Sequence, residues 1–273
     1  MRSLFIAFAC LLAAGAHAQE RRPSHCIAIA DAAPGLEYLQ KASFRDPLAQ
    51  YTVRISYLNH SMFLIQAPTG EAAVTDYTGY LGNVDFVPDV ATMNNAHSTH
   101  WTPSPDPAIP HVLEGWATGG QPREHYVDLG GMLVRNVHTD VRSGAFGGPP
   151  RVDGNSIFIF EVEGLCVGHL GHLHHFPDEN QLAAIGRLDV VMAPVDGGMT
   201  LDLATMTRLL KRFKSSVVIP MHWFSDGSLT AFVAGMQDEF DIDRSFADSY
   251  EVSLATLPDR PTVVLLAPRF LQD

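Results

Sequence analysis

Cysteine is scarce in this sequence, with three among 273 residues. Cys26 and Cys166 lie far apart, and neither has the close spacing of a zinc-binding cysteine motif, so a metal site would depend on imidazole and carboxylate groups. Basic residues are also few: 18 lysines and arginines against 30 acidic residues give a net charge of −12. Such a chain lacks the basic footprint of nucleic-acid-binding proteins, and no nucleic-acid partner is expected.

Several familiar catalytic motifs are absent as well. The sequence has no Gly-x-Ser-x-Gly nucleophile elbow, no Gly-x-x-x-x-Gly-Lys phosphate loop and no His-Glu-x-x-His helix. It shows neither a linker nor an internal repeat. With 46% hydrophobic and 18% charged residues, the chain is predicted to form one large domain with a substantial core. Nothing in the sequence indicates an oligomeric state.

The N-terminus has the three parts of a secretory signal. Arg2 precedes an apolar stretch over residues 4–14, and small residues follow up to Ala18, after which we expect cleavage. Because that stretch is too short to span a membrane comfortably, the pattern predicts an exported protein, periplasmic or secreted, without stable membrane association once the signal (1–18) is removed. In an oxidising compartment Cys26 and Cys166 could form a disulfide, but a buried thiol at Cys166 is equally natural.

The order of secondary structure changes along the chain. Residues 19–50 read as an irregular arm, and the domain is predicted over 51–273. Its first half alternates with period two and predicts antiparallel strands, whereas strands and helices alternate afterwards, with helices predicted over 178–185, 202–213 and 229–240. Residues 102–124 are predicted to form a long loop. This order predicts a mixed α/β (α+β) sandwich of two sheets with helices outside.

Histidines follow four of the apolar runs. They are His97 and His100, His138, His169 and His172, and His222. If the ends of these runs lie on one edge of the fold, their imidazoles can hold zinc or another late transition metal through neutral nitrogen donors. Metal affinity should then fall as the pH drops through the histidine range near 6.5, because protonated imidazole cannot ligate.

The ordered set of motifs resembles the metallo-β-lactamase superfamily. The motifs are Asp76 after a strand, His97-x-x-His100, His138, His169-Leu170-Gly171-His172, the run 191–198 that contains Asp196, and Pro220-Met221-His222-Trp223. Within the superfamily the sequence is most similar to the ascorbate-phosphate-lactonase-like hydrolases, from about Tyr51 to His222. The resemblance implies a single αββα sandwich domain, a dinuclear metal site at one edge and a small-molecule substrate.

Two metal motifs depart from the family pattern. The family's His-x-His-x-Asp-His is matched by Asn95-x-His97-x-Thr99-His100, and the aspartate that bridges two metals in the family is replaced by His172. With two carboxylates fewer, one or two ions per chain are expected, because less negative charge offsets the repulsion between two dications. The predicted ligands are His97, His100, His138, His172 and His222.

Two functions remain open from the sequence. The first is a hydrolase in which a metal-activated water attacks an ester, lactone, amide or phosphoester, with Asp196 and His172 as catalytic candidates. The second is a non-catalytic metal- or ligand-binding protein that kept the fold. Supporting or pocket positions are assigned to Asp76, Asn95, Thr99, Trp101, His169 and His175. A structural role for His60 is at least as well supported as a site role, and His174 is expected at the surface.

Overall fold

The chain folds as two β-sheets packed face to face. A computed structural model describes residues 43–142 and 149–272. The strands are β1 (Val53–Asn59), β2 (Met62–Gln66), β3 (Ala72–Val74), β4 (Gly82–Asn83), β5 (Val90–Met93), β6 (His111–Glu114), β7 (Tyr126–Asp128), β8 (Met132–Val141), β9 (Arg151–Val162), β10 (Leu165–His169), β11 (Val190–Pro194), β12 (Val217–Met221), β13 (Asp241–Asp243), β14 (Ser249–Val252), β15 (Thr262–Val264) and β16 (Leu271–Gln272). The helices are α1 (Glu179–Ile185), α2 (Leu203–Phe213) and α3 (Asp226–Met236).

The predicted signal, most of the predicted arm and Cys26 lie outside the described residues. Cys166 is disulfide-bonded, and its partner also lies outside them. The pairing with Cys26 therefore stays a prediction.

The strand pairing follows the predicted change from antiparallel to alternating structure. One sheet has the order β14-β1-β2-β3-β5-β6, the other has β13-β15-β12-β11-β10-β9-β8-β7, and β16 pairs with β4. Strands β8, β9 and β10 are antiparallel, whereas β10, β11, β12 and β15 are parallel. The alternating strands and helices of the second half thus build the parallel part of the larger sheet, because parallel neighbours need a long crossover connection such as a helix.

Strand β9 shows why the sheets stack with helices outside. Its side chains point alternately to the two faces: Phe158 and Phe160 pack between the sheets, and Ile157 and Ile159 pack against the helices. All four are fully buried, and each contributes roughly 2–3 kcal/mol through the apolar area that it removes from water. The predicted sandwich with outer helices is confirmed; the three helices of the described ranges cover the eight-stranded sheet.

Helix α2 forms where the sequence predicts it. Asp202 accepts a hydrogen bond from the amide of Thr205 at 2.9 Å and so caps the first turn. Met206 and Leu209 lie on the buried face. Helix α3 begins three residues before its predicted start and ends at Met236, because Phe240 reaches the core from a turn. In the two described ranges, no helix is long and apolar enough to cross a membrane.

The outer face of the six-stranded sheet is packed by loop residues. The segment predicted as a long loop contains β6, which pairs in parallel with β5. The rings of Trp101 and Trp116 meet edge to face with centroids 5.7 Å apart and pack on the apolar cluster of this face. Trp101, expected at a substrate pocket, is therefore used in packing this side of the sandwich.

Candidate metal centre

Three histidines from three separate loops meet at one edge of the sandwich. His60 lies in the turn between β1 and β2, His100 in the loop after β5, and His222 directly after β12. Each offers one ligand atom, and these atoms lie within 4.8 Å of one another. His100 and His222 are buried and His60 is half-buried. Small ring rotations from this spacing reach metal–nitrogen bonds of about 2 Å.

The backbone at this edge is held in an unusual conformation. Asp76, His60 and His222 have φ angles of 44°, 47° and 55°, in the left-handed region that costs a non-glycine residue on the order of 1 kcal/mol or more. Hydrogen bonds hold two of them in place: the amide of His222 donates to the carbonyl of His60 at 2.9 Å, and the hydroxyl of Tyr57 donates to the same carbonyl at 2.5 Å. Such strain is typical of functional sites.

Among the described residues, His60, His100 and His222 share a further feature, a ring nitrogen without a directed hydrogen bond. Nε2 of His60, Nε2 of His100 and Nδ1 of His222 are buried and lack a directed hydrogen bond. A buried nitrogen without any partner costs about 1–3 kcal/mol. The nitrogens of His60 and His100, next to Nδ1 of His222, which lies at ion-pair distance from Asp196, therefore require an explanation. A cation accounts for all three, since neutral imidazole is a common zinc ligand. The residues at this edge therefore fit a metal ion.

Asp76 orients His100 from behind. Its Oδ2 lies 2.5 Å from Nδ1 of His100, and its Oδ1 accepts from the amide of Asn94 at 3.0 Å. Burial raises the pKa of Asp76, and burial, followed by the neighbouring His222 and His97, holds the pKa of His100 well below its usual value. If Nε2 ligates a cation, Nδ1 carries the proton and donates a hydrogen bond to the carboxylate of Asp76. Such a hydrogen bond is the usual support of a metal-bound histidine.

Asp196 plays a comparable part beside His222. Its Oδ1 accepts from the amides of Gly198 at 2.8 Å and Met199 at 2.6 Å, and its Oδ2 lies 2.9 Å from Nδ1 of His222. That contact has ion-pair distance without hydrogen-bond direction. Although burial raises it, the pKa of Asp196 is low overall because His222, Thr200 and backbone amides stabilise the carboxylate. Such a carboxylate suits orientation better than proton abstraction at neutral pH.

Further imidazoles border the three-histidine group. The ring centroid of His172 lies 4.8 Å from that of His100, 5.2 Å from that of His222 and 5.5 Å from that of His97. Nδ1 of His172 is 2.6 Å from Nε2 of His174. The structure thus brings together four of the five predicted ligands, His97, His100, His172 and His222, although His97 is exposed.

His138 makes its described contacts elsewhere. It lies inside β8, which continues to Val141, and not at the end of the strand as predicted. Its Nδ1 is 3.3 Å from Oγ of Ser156, and its Nε2 is 3.7 Å from a carboxylate oxygen of Glu124. The structure shows no contact between His138 and the histidine cluster among the described residues, so its role as a ligand stays a prediction without such a contact.

The remaining predicted site residues support the surrounding loops. His169 is fully buried, and its Nε2 donates to the carbonyl of Ser61 at 2.7 Å. His175 accepts from the amide of Asp140 at 3.0 Å, and Asn95 accepts from Arg151 at 2.6 Å. Oγ1 of Thr99 lies 3.1 Å from Nδ1 of His97. These contacts fix the loops that carry the cluster.

His60, in the three-histidine group, and His174, beside His172, were not assigned a site role from the sequence. His60 follows an alternating strand in Asn59-His60-Ser61, and His174 lies in a run of seven residues that contains four histidines. Strand-end position and local histidine density were the available signals. Neither signal gives the direction in which a ring points. The ordinary roles of histidine in turns and at surfaces were therefore the better-supported predictions.

A family model described as "Beta-lactamase superfamily domain" matches residues 54–222. The matched segment includes His60, His100 and His222. The chain belongs to the metallo-β-lactamase superfamily.

Sequence relatives of this superfamily member are named UPF0173 metal-dependent hydrolases. One from Carboxydothermus hydrogenoformans is 32% identical over 93 residues, which are 34% of this chain and 41% of that protein. Another, from Methanoculleus marisnigri, is 24% identical over 184 residues, which are 63% of this chain and 81% of the relative. The match to the first relative therefore spans less than half of its length.

A solved structure has the same fold. It is a protein of Thermotoga maritima assigned as a Zn-dependent hydrolase of the metallo-β-lactamase superfamily, with a TM-score of 0.57 and 21% identity over 79% of this chain and 99% of that one. At this identity the likeness shows the fold of this superfamily member and nothing finer.

The departures from the superfamily motif now have a structural setting. Of the register Asn95-x-His97-x-Thr99-His100, only His100 enters the group of three unpartnered histidines. Asn95 binds Arg151, and Thr99 contacts His97. The residues that could hold a metal ion therefore include His60, from the β1–β2 turn, in addition to motif histidines.

The metal-free protein should lose stability as the pH falls below 7. Burial, followed by neighbouring histidines, lowers the pKa of His60 to about 3 and that of His172 to about 2; burial and then Arg142 lower the pKa of His174 to about 4. Unfolded histidines take up protons near pH 6.5, whereas these stay neutral in the fold until the pH reaches those lower values, so the free energy of unfolding decreases over that interval.

The expected loss is about 1 kcal/mol for each such histidine between pH 7 and 5.5. Urea unfolding of chelator-treated protein at both pH values measures it, and His60→Gln should reduce the loss by one histidine's share. A free energy of unfolding that is equal at both pH values would contradict this account.

Proposed function

We propose that this chain is an exported metal-dependent hydrolase of small molecules, with one late transition metal, most simply zinc, held by His60, His100 and His222. The observation that carries the proposal is that ring nitrogens of three histidines lie within 4.8 Å of one another and, among the described residues, have no directed hydrogen bond. Relatives named metal-dependent hydrolases support the reaction class. Export, to the periplasm or the medium, is supported by the signal pattern of residues 1–18.

When bound, such an ion supplies Lewis acidity and a water acidified toward neutral pH. The chain's own residues prepare the site for this chemistry. Asp76 fixes the ring of His100, and Asp196 fixes the loop 196–200 beside His222. His172 faces both rings and is the candidate for a further ligand or a proton-handling group, whereas Asp196 serves as the orienting carboxylate.

A small cleft adjoins the cluster. Its volume is about 160 Å³, and it is lined by Asn59, His60, Met62, Thr78, Ser98 and Thr99. The amide and hydroxyl groups of this lining can bind the carbonyl or hydroxyl groups of an ester, lactone or amide. Because His60 belongs both to the cleft and to the three-histidine group, a substrate in the cleft lies next to the proposed metal. A phosphoester is the other substrate class compatible with this reaction.

A non-catalytic metal-binding protein is the second candidate function. One observation favours it: the group of three ligand residues contains histidine alone, and the carboxylates nearest to it, Asp76 and Asp196, are engaged with His100 and His222. Neither Asp76 nor Asp196 is then available to accept a proton from water. If this reading holds, the protein binds metal tightly and hydrolyses nothing.

Metal analysis followed by a substrate panel separates the two functions. Protein recovered from the periplasm should begin at Gln19 and contain close to one zinc per chain. It should hydrolyse at least one ester, lactone, amide or phosphoester, lose that activity with a chelator and regain it with zinc. Zinc bound without any hydrolysis would establish the binding protein instead, and protein that takes up no metal would remove both functions.

A further inference from the structure

Phe224 is exposed directly beside the metal centre. Its side chain is 60% exposed, yet its ring centroid lies 5.1 Å from that of His60 and 5.2 Å from that of His222. The ring is tied to this place because His222 follows β12 and α3 begins at Asp226. An aromatic face is thus presented to solvent at the edge of the group that would hold the ion.

The cleft on His60 has a different chemistry. Apart from His60, the lining side chains carry amide, hydroxyl or thioether groups and no formal charge. Such a cleft suits a neutral group that both donates and accepts hydrogen bonds. It does not provide the guanidinium or ammonium groups with which proteins usually hold phosphate.

Two arginines that act on a neighbouring histidine are engaged in hydrogen bonds. Arg142 and Arg151 are the two whose charges act on His174. Arg142 donates to the carbonyls of Met199 at 2.8 Å and Thr200 at 3.0 Å, and Arg151 donates to Asn95 at 2.6 Å. Beside the ligands, the carboxylates of Asp76 and Asp196 offset the charge of a dication. The site therefore offers little attraction to an anionic head group.

We propose that the substrate is an uncharged ester, lactone or amide whose polar head enters the cleft beside His60 and whose apolar group lies on Phe224. This inference rests on the proposed function and narrows it: Phe224 sets specificity for an apolar group, and phosphoesters are poor substrates. His60 connects the polar cleft with the aromatic surface, since it contacts Phe224 on one side and lines the cleft on the other.

Calorimetry with hexanamide and hexyl phosphate tests the subsite, because the two probes share an apolar tail and differ in the charge of the head. The zinc-loaded full chain should bind hexanamide more tightly than hexyl phosphate. Phe224→Ala should weaken hexanamide binding about tenfold, Phe224→Leu less, and neither should change the zinc content. Leu254→Ala is the control, since Leu254 is also partly exposed, at 42%. It lies near Gly164, just before β10, whereas the histidines follow the other end of that strand. This variant should bind hexanamide like the parent.

The outcomes are separable. Equal or tighter binding of hexyl phosphate, or unchanged hexanamide affinity in Phe224→Ala, overturns the subsite. Phe224-dependent binding of hexanamide by a protein that hydrolyses no ester, lactone, amide or phosphoester supports the subsite and removes the hydrolase. Zinc-dependent ester hydrolysis that is unchanged in Phe224→Ala supports the hydrolase and overturns the subsite.

Discussion

His100→Ala is expected to empty the metal centre, with zinc falling from close to one ion per chain to a small fraction. His100 is fully buried, Asp76 fixes its Nδ1, and its Nε2 has no hydrogen-bond partner in the part of the chain that the structure describes. If a zinc-binding free energy of about 10–16 kcal/mol is shared among the three proposed ligands, one imidazole contributes about 3–5 kcal/mol, which is more than a hundredfold in affinity. Metal analysis after dialysis against a competing chelator measures the loss.

The matched controls are His97→Ala and His138→Ala. His97 is exposed, and the ring of His138 contacts Ser156, Asn136 and Glu124. Both variants should retain most of the zinc, whereas His60→Ala and His222→Ala should behave like His100→Ala. Circular dichroism shows whether each variant keeps its fold. If His97→Ala or His138→Ala loses zinc as completely as His100→Ala, the ligand set predicted from the sequence is correct and the three-histidine group is not.

Asp76→Asn should weaken zinc affinity by about 10–100-fold while leaving the fold intact. Asparagine has the shape of aspartate, tolerates the positive φ of this position and can still accept from the amide of Asn94. It removes the negative charge that faces Nδ1 of His100. A change in zinc affinity therefore reports the orientation and basicity of His100, because the backbone strain at position 76 is the same in both proteins. Competition titration with a chromogenic chelator measures it.

Asp89→Asn is the control for a strand-end carboxylate without a histidine partner in the described contacts. Asp89 accepts from the amide of Ala72 at 2.8 Å. This variant should bind zinc like the parent protein. Identical zinc affinity in Asp76→Asn and the parent would mean that His100 does not ligate through Nε2 with Asp76 behind it.

The sequence predicted most of the architecture because periodicity and capping are local. The antiparallel first half, the alternating second half and helix α2, capped by Asp202, all follow from neighbouring residues. It also placed histidines after β5, β10 and β12, and the parallel pairing of β10 with β11 and of β11 with β12 brings their ends to one edge. Strand β6 was missed because four residues between prolines give too little periodicity to recognise.

By itself, then, the sequence determined the two-sheet fold, the superfamily and the edge at which histidines gather. Only the tertiary structure decided which imidazoles share a centre, because that depends on the direction in which each ring points. His138 lies inside β8 and its ring turns to Ser156. His60 takes a left-handed backbone conformation, and its carbonyl accepts the amide of His222, more than 150 residues away in the chain. A hydrogen bond across that sequence distance leaves no local pattern, so the ring that completes the group of three could be found only in the fold.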